Sequence, residues 1–180
     1  MPRPKTSVYI ATSLDGFIAR PDGTLDWLMD ERYTIPGEDF GYQLFMDSVD
    51  TLVMGRNTYE TVLGFDEWPY AGKRVVVLSS GTPAVPDKLR NDVMVLSLPP
   101  AGVLDYIAQQ GGQHVYIDGG QTIQRFLRDK CIDDLIITRM PVLIGEGIPL
   151  FGALAEDVLL SHLETKAFVN GAVQSRYACE

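Results

Sequence analysis

The sequence has few of the residues that build metal sites and disulfide frameworks. Its 180 residues include two cysteines, Cys131 and Cys179, and two histidines, His114 and His162. No CxxC spacing and no ligand-spaced cluster of acids surrounds them, so we expect free thiols, a reducing cytoplasm and no metal. No apolar run approaches the ~18 residues of a membrane span, so we expect no membrane partner.

Positive charge is also scarce. The chain carries 15 lysines and arginines against 24 acidic residues, a net charge of −9. Such an average field repels a polymer of phosphates, which argues against nucleic acid as a partner but allows a local site for one small anion. With 46% hydrophobic residues and no linker, repeat or low-complexity tract, residues 1–180 are predicted to form a single domain.

Short apolar runs alternate with amphipathic segments along most of the chain. The strand-like runs cover residues 6–13, 52–54, 74–79, 93–96, 114–117 and 135–138. The predicted helices cover residues 39–48, 58–63, 101–110 and 122–130. This alternation predicts an α/β fold with a mostly parallel central sheet flanked by helices. Asn170-Gly171, between the runs 159–169 and 172–179, predicts a C-terminal antiparallel hairpin in which both turn residues have positive φ.

Three of the predicted strands end in residues that suit a ligand. The three ends are Gly55-Arg56-Asn57-Thr58, Ser79-Ser80-Gly81-Thr82 and Asp118-Gly119-Gly120-Gln121-Thr122. The carboxyl ends of parallel strands share one edge of a sheet, where helix N-termini offer backbone N–H groups to anions. Arg56 adds a planar cation suited to phosphate, and Gly55 lets a ligand approach the backbone. Each segment alone is equally explained as a βα turn, but together they favour a nucleotide site.

The common nucleotide and hydrolase motifs are absent. Gly145-Glu146-Gly147 begins like GxGxxG, but Leu150 occupies the sixth position and Pro149 interrupts any helix. There is no GxxxxGK[ST] and no GxSxG in the sequence. These absences argue against a dinucleotide fingerprint, a P-loop ATPase and a serine hydrolase.

Four motifs that occur in order resemble the dihydrofolate reductase-like superfamily. They are SLDGFIA at 13–19, MGRNTYE at 54–60, VVVLSS at 75–80 and YIDGG at 116–120. The resemblance is to the branch typified by the C-terminal reductase domain of the riboflavin-biosynthesis protein RibD, and it covers nearly the whole chain. It implies a dihydrofolate reductase-like three-layer fold and an NADPH-dependent reductase whose cofactor lies across the carboxyl edge of the sheet.

The resemblance also implies which residues bind the cofactor. Arg56 and Thr58 match positions that meet the cofactor phosphates, and Gly119, Gly120, Gln121 and Thr122 match those that hold the pyrophosphate. Gly55, Asn57 and Asp118, at the same strand ends, are predicted to bind the cofactor as well. Ser79 and Ser80 match the loop beside the adenosine 2′-phosphate. In dihydrofolate reductases the glycine pair contains a cis peptide bond.

Two aspartates are candidates for the catalytic step. Asp39 lies fifteen residues before Met54, the spacing of the carboxylate that holds the pterin at the start of the first helix in dihydrofolate reductases. Asp39, or water ordered by it and by Asp15, is therefore the predicted proton source. Asp39 is equally explained as an acid stabilised by a helix N-terminus, and Asp15 as a turn aspartate.

The substrate side is implied less sharply. Leu14 and Gly16 belong to the first loop, which approaches the nicotinamide and the substrate in RibD-type domains. Trp27, Trp68 and Tyr70 are candidates for the walls of a pocket for a flat ring, although buried aromatics more often belong to the core.

The predicted activity is hydride transfer from NADPH to a C=N or C=O bond of a small heterocyclic or ribosylamine-type substrate. The substrate that fits the resemblance is 5-amino-6-(5-phosphoribosylamino)uracil, and dihydrofolate is the alternative. A phosphorylated substrate requires a further basic residue in the pocket, and the sequence does not assign one. A non-catalytic NADPH-binding module and a purely structural domain are the competing interpretations. A homodimer is expected, with the β-rich last quarter as its interface.

Overall fold

Within residues 2–180, which this computed structural model describes, the chain forms ten strands and four α-helices. The strands are β1 (Lys5–Thr12), β2 (Phe17–Ala19), β3 (Thr51–Gly55), β4 (Arg74–Leu78), β5 (Val93–Leu96), β6 (His114–Asp118), β7 (Asp134–Arg139), β8 (Ile148–Pro149), β9 (Leu160–Ala167) and β10 (Val173–Cys179). The helices are α1 (Tyr42–Ser48), α2 (Arg56–Leu63), α3 (Pro100–Gln109) and α4 (Gly120–Arg128).

Eight strands form one sheet in the order β5-β4-β3-β6-β1-β7-β10-β9. Strands β1 and β3 to β7 run parallel, and β10 is antiparallel to both β7 and β9. The predicted mostly parallel sheet with a C-terminal hairpin is therefore confirmed. Because β6 lies between β3 and β1, the carboxyl ends of these three strands are neighbours at one edge.

The strands carry apolar side chains on both faces, as expected for a parallel sheet covered by helices on both sides. On one face, Val8, Val53 and Ile117 pack with residues of α3 and α4. On the other face, Leu52 and Tyr116 pack with residues of α1 and α2. The result is three layers, with helices on either side of the central sheet.

Two local predictions were wrong. Helix α1 begins at Tyr42 rather than at Asp39, because Phe40 has φ +58 and Gly41 has φ +79, values that no right-handed helix contains. In the hairpin turn only Gly171 has positive φ, at +88, so this is not the predicted turn with two such residues. The Gly171 N–H donates to the Phe168 carbonyl at 3.0 Å, which makes a longer loop.

A small second sheet was not predicted. Strand β2 pairs with the two-residue β8 in antiparallel fashion. A Cβ placed on Gly120 would meet Ile18 Cδ1 at 3.0 Å and the Pro149 carbonyl oxygen at 3.2 Å. This sheet therefore lies directly against the start of α4, which explains why a glycine stands there.

None of the helices in the described part of the chain is long and apolar enough to cross a membrane. Across residues 2–180, no three His, Cys, Asp or Glu side chains are grouped as metal ligands would be. Cys131 and Cys179 are free thiols. All peptide bonds described are trans, including the one within Gly119-Gly120.

Candidate active site

Two helix N-termini meet at the carboxyl edge of the sheet. Strand β3 runs into α2 at Gly55, and β6 runs into α4 through Gly119. A Cβ on Gly55 would lie 3.2 Å from Thr122 Oγ1, and one on Gly119, which has φ +92, would lie 2.8 Å from Thr58 Oγ1. The two threonine hydroxyls thus lie against glycine backbone between the helix starts, where any larger residue would fill the space.

The Arg56 side chain extends from the start of α2 to the loop after β4, which is the second of the three strand ends. A Cβ on Gly81 would lie 3.3 Å from Arg56 Nη1 and 3.7 Å from Ser79 Oγ. Arg56 Nε donates to Glu60 Oε1 at 2.7 Å, one helical turn along α2. Because this contact uses only Nε, the outer nitrogens of Arg56 are available to an anion beside the serine hydroxyl. All three strand ends singled out in the sequence therefore converge.

The remaining predicted cofactor residues lie at the same strand ends. Asn57 and Gln121 are exposed in the first turns of α2 and α4, and Ser80 is exposed after β4. Gly120 is buried as the first residue of α4. Their roles toward a cofactor stay predictions.

Asp118 is the last residue of β6 and pairs in register with Met54. It lies on the same face as Tyr116, toward α1 and α2, because side chains alternate along a strand. Its Oδ1 accepts the Gly119 N–H at 2.8 Å. Burial raises the pKa of this half-buried carboxyl to about 6, while the Gly119 N–H acts in the opposite direction. Asp118 is thus an acid that changes protonation just below neutral pH.

The charge of this carboxylate acts on three tyrosines. Burial raises the pKa of Tyr42, Tyr70 and Tyr116, and the nearby Asp118 charge raises each further. The Tyr116 hydroxyl donates to the Tyr9 carbonyl at 2.9 Å, whereas the hydroxyls of Tyr42 and Tyr70 have no hydrogen-bond partner in the described chain. We call Asp118, Tyr42, Tyr70 and Tyr116 the tyrosine cluster.

The sequence reasoning named Tyr70 but missed Tyr42 and Tyr116. The two-residue period of β6 was a usable signal, because it places Tyr116 beside Asp118 on one face. Tyr42 carried no comparable signal, since its approach to Asp118 depends on how α1 packs against the sheet.

Asp39 lies just before α1, as its spacing predicted, but it is exposed. Its two oxygens accept the Gln43 and Gly41 N–H groups, each at 2.9 Å, and these bonds lower the pKa of the carboxyl. The arrangement is that of an acid that stabilises a helix start. The catalytic assignment of Asp39 stays a prediction, but an exposed acid with a lowered pKa is a poor proton donor at neutral pH.

Asp15 is also engaged by backbone. Its Oδ2 accepts the Gly145 N–H at 2.8 Å and its Oδ1 the Ile144 N–H at 3.3 Å. The Ser13 hydroxyl, followed by these N–H groups, lowers the pKa of the carboxyl. Asp15 therefore ties the first loop to the loop after β7, and its catalytic assignment also stays a prediction.

Trp27 is separated from the other predicted pocket aromatics. It is buried with Tyr33, Met140 and Ala172, whereas Trp68 and Tyr70 belong to the core on the α1 and α2 face. The first-loop residues predicted to contact substrate differ from one another in exposure: Leu14 is 57% exposed and Gly16, with φ +89, is half-buried.

A cleft of about 190 Å³ lies at the opposite edge of the sheet, where β4 and β5 begin. Its two arginines already have partners, since Arg74 donates to the Gln110 carbonyl and Arg90 pairs with Asp87 at 2.7 Å. The converging glycines, threonines and Arg56 are not part of it. The candidate site is therefore the open carboxyl edge rather than this cleft.

A known protein family matches nearly the whole chain. The family model of the RibD C-terminal domain matches residues 4–174. The chain belongs to the RibD C-terminal domain family. The family resemblance found in the sequence motifs is thereby confirmed.

Two relatives of this RibD C-terminal domain protein match it along nearly their whole length. A crystal structure of a protein named for riboflavin biosynthesis, from Shewanella sp. PV-4, is 39% identical, with a TM-score of 0.90 over 98% of this chain and 99% of that one. The uncharacterized protein YwjB of Bacillus subtilis (strain 168) is 38% identical over 177 residues, covering 96% of this chain and 97% of its own.

A more distant structure shows the fold. The Thermotoga maritima diaminohydroxyphosphoribosylaminopyrimidine deaminase/5-amino-6-(5-phosphoribosylamino)uracil reductase is 15% identical, with a TM-score of 0.76 over 99% of this chain and 57% of that longer one. The RibD-like, dihydrofolate reductase-like fold predicted from the motifs is thus confirmed.

Proposed function

We propose that this RibD C-terminal domain protein is an NADPH-dependent reductase of a small heterocyclic substrate. The observation that carries the proposal is the convergence of Arg56 with the Ser79–Gly81 loop beside the paired starts of α2 and α4. A nucleotide with a pyrophosphate and a separate phosphate matches a site with two helix N-termini and a separate arginine.

The residues present fit such a cofactor. Gly119 and Gly55 leave space that a Cβ would fill against the Thr58 and Thr122 hydroxyls, and this is where a pyrophosphate would be held. Arg56, oriented by Glu60, would hold the 2′-phosphate together with the hydroxyl of Ser79. NADH lacks that phosphate, so Arg56 is the residue expected to distinguish the two cofactors.

Asp118 is the proton donor in this proposal. When bound, NADPH supplies a hydride, which carries two electrons, to the carbon of a C=N or C=O bond and is left as NADP⁺. The nitrogen or oxygen of that bond takes the proton of the Asp118 carboxyl, and solvent reprotonates the carboxylate. A pKa of about 6 lies close enough to neutral pH for both the protonated and the ionised form to be present.

The name of one relative supports a particular substrate. The Thermotoga maritima protein is a 5-amino-6-(5-phosphoribosylamino)uracil reductase by name, which supports a pyrimidine ribosylamine. Dihydrofolate is the alternative, and a non-catalytic NADPH-binding module is the competing function. That module would bind NADPH without oxidising it in the presence of any pterin or pyrimidine.

Arg56→Ala tests the cofactor assignment. Loss of a charge-assisted hydrogen bond of about 1.5–3 kcal/mol should weaken NADPH binding roughly 10- to 150-fold and leave NADH binding unchanged. Titration of the thermal shift with each cofactor measures this difference. Arg90→Ala, which removes another exposed arginine from an ion pair, is the matched control. A preference of the wild type for NADH, or undiminished NADPH binding by Arg56→Ala, would refute the assignment.

We also propose that the protein is a homodimer. Strand β9 is the edge strand next to β10, and all eight of its residues are exposed, including Leu160 and Leu163. An exposed edge strand with apolar side chains is a favourable surface for pairing with a second copy. Sedimentation should show a dimer, and Leu163→Glu should convert it to a folded monomer; a monomeric wild type would refute the proposal.

A further inference from the structure

We infer that the cleft where β4 and β5 begin is a binding site for a small zwitterion, an α-amino acid with an aliphatic side chain. This cleft of about 190 Å³ lies at the edge of the sheet opposite to the candidate active site. The inference does not depend on the proposed reductase activity, because none of the residues assigned to the cofactor lines the cleft.

The cleft has an apolar floor beneath the last turns of α3. Val76 of β4 and Ile107 of α3 are both buried, and both line it. Met94, on the edge strand β5, pairs in register with Val76 and is 45% exposed. Residues in register on neighbouring strands share a face of the sheet, so Met94 lies at the open side of the cleft beside Val76. An aliphatic side chain placed against these three residues would be removed from water.

Arg74 contributes a cation whose charge is not neutralised by its hydrogen bond. It is the first residue of β4 and alternates in phase with Val76, on the α3 side of the sheet. Its Nη1 donates to the neutral Gln110 carbonyl at the end of α3. The Arg74 charge helps to lower the pKa of Asp50, but that carboxylate already accepts three other hydrogen bonds. The remaining guanidinium nitrogens of Arg74 are therefore available to a ligand carboxylate.

Asp92 contributes the opposite charge one strand away. It directly precedes β5, and its carbonyl accepts the Val75 N–H at 2.7 Å, which continues the ladder between β4 and β5. Arg74 and Asp92 thus stand side by side at the starts of adjacent strands, and both line the cleft. Within residues 2–180 neither forms an ion pair with the other or with any other side chain. A ligand that carries a carboxylate and an ammonium group matches this unpaired cation and anion.

The charge and size of the cleft disfavour other classes of ligand. Arg90, its second arginine, is neutralised by Asp87 at 2.7 Å. A phosphate or dicarboxylate would therefore meet Asp92 without a second free cation, and an uncharged ligand would desolvate both unpaired charges. The cleft is also smaller than the pockets of about 300–1,000 Å³ that hold drug-sized ligands, which excludes a nucleotide and leaves room for roughly ten non-hydrogen atoms.

The experiment compares L-leucine with two analogues that each lack one of its charges. 4-Methylpentanoate has only the carboxylate, and 3-methylbutylamine has only the ammonium group. Binding of each to the full chain is followed by backbone amide chemical shifts in a two-dimensional NMR titration. We expect saturable shifts at Val76, Met94 and Ile107, with a dissociation constant of about 1 mM for leucine and binding of each analogue weaker by about tenfold or more. No saturable shift at these residues, or an analogue that binds as tightly as leucine, would overturn the inference.

Variants of the cleft test each charge separately. Asp92→Asn keeps the size of the side chain but removes its charge, and should weaken leucine binding by about tenfold without weakening that of 4-methylpentanoate. Arg74→Gln should weaken leucine binding to a similar extent. Asp105→Asn and Arg128→Gln, at exposed positions outside the cleft, are the matched controls and should bind leucine like the wild type.

The two variants differ in their structural risk. Arg74→Gln also loses the contact with the Gln110 carbonyl, so its fold is checked by circular dichroism. If that variant is unfolded, Asp92→Asn decides alone, because the Asp92 side chain has no ion pair to lose. Leucine binding by Asp92→Asn that equals that of the wild type would overturn the inference.

Discussion

Replacing Asp118 by asparagine should make the protein more stable and less active. The asparagine oxygen can still accept the Gly119 N–H that Asp118 accepts at 2.8 Å, so the local backbone has no reason to move. The substitution removes only the charge and the titratable proton. The gain in stability and the loss of catalysis should therefore come from the same group.

The size of the gain follows from the pKa. Burial raises the pKa of the Asp118 carboxyl from 3.8 to about 6. Two pKa units correspond to about 3 kcal/mol by which ionisation is disfavoured in the folded state. Because the half-buried residue keeps some contact with water, we expect about 1.5–3 kcal/mol at pH 7.5. For a protein of this size that is a rise in melting temperature of roughly 4–10 °C.

The pH dependence has a definite sign. Below the unfolded pKa of 3.8 the carboxyl is protonated in both states and ionisation carries no penalty. The penalty grows as pH rises and is complete above the folded pKa of about 6. The stability difference between Asp118→Asn and the wild type should therefore fall by about half between pH 7.5 and pH 5.

Urea unfolding at both pH values measures this difference. Asp66→Asn, a substitution of an exposed aspartate in the loop after α2, is the control and should change stability little at either pH. In the reductase assay, loss of the proton donor should lower turnover by about 10²-fold or more. The interpretation that burial destabilises the ionised Asp118 would be refuted by either of two results. One is a variant no more stable than the wild type at pH 7.5, and the other is a stability difference between variant and wild type that does not shrink at pH 5.

Three further predictions concern other groups. Gly119→Ala should abolish NADPH binding in calorimetry because its Cβ would lie 2.8 Å from Thr58 Oγ1. The control Gly111→Ala, at φ +79 with nothing within 4 Å, should lose about 1–2 kcal/mol of stability but keep binding. Equal binding by both variants would contradict a pyrophosphate site at Gly119. Asp39→Asn should preserve the helix start, since asparagine caps as well as aspartate, and should leave the pH profile of single-turnover hydride transfer unchanged; an altered profile would restore Asp39 as the proton source. Burial lowers the pKa of His114, so the unfolded state binds the proton first and the stability that His114 contributes should be lost as pH falls through 6.5, the unfolded value. The free energy of unfolding of His114→Gln in urea should therefore depend less on pH between 7.5 and 5.5 than that of the wild type. An unchanged pH dependence would reject this contribution of His114.

The cofactor side of the site was predictable because it is made of local pieces. Two of the βα turns are marked in the sequence by a glycine after an apolar run, at Gly55 and Gly119. Parallel strands end at a common edge, which placed Arg56 and Ser79 on the same side of the sheet. The pairing of β3 with β4 then makes them neighbours.

The substrate side was less predictable because it depends on packing between distant segments. The tyrosine cluster brings Tyr42 of α1 within the electrostatic influence of Asp118 on β6, and no local pattern encodes that proximity. The helix start was misjudged for a different reason: the positive φ of Phe40 is a conformation that the apolar spacing of residues 40–45 does not reveal. Asp39, the predicted proton source, is exposed, whereas Asp118, predicted only as a cofactor residue, is half-buried.

The central position of β6 also constrains how the protein assembles during synthesis. Strands β1 and β3 emerge from the ribosome first, yet they share no hydrogen bonds, because β6 must come between them. An N-terminal segment ending before His114 therefore has a gap in the middle of its sheet and exposes two long apolar edges. Such an intermediate is prone to aggregation, so the synthesis of β6 is the step that lets the nascent chain close its sheet and cover these edges.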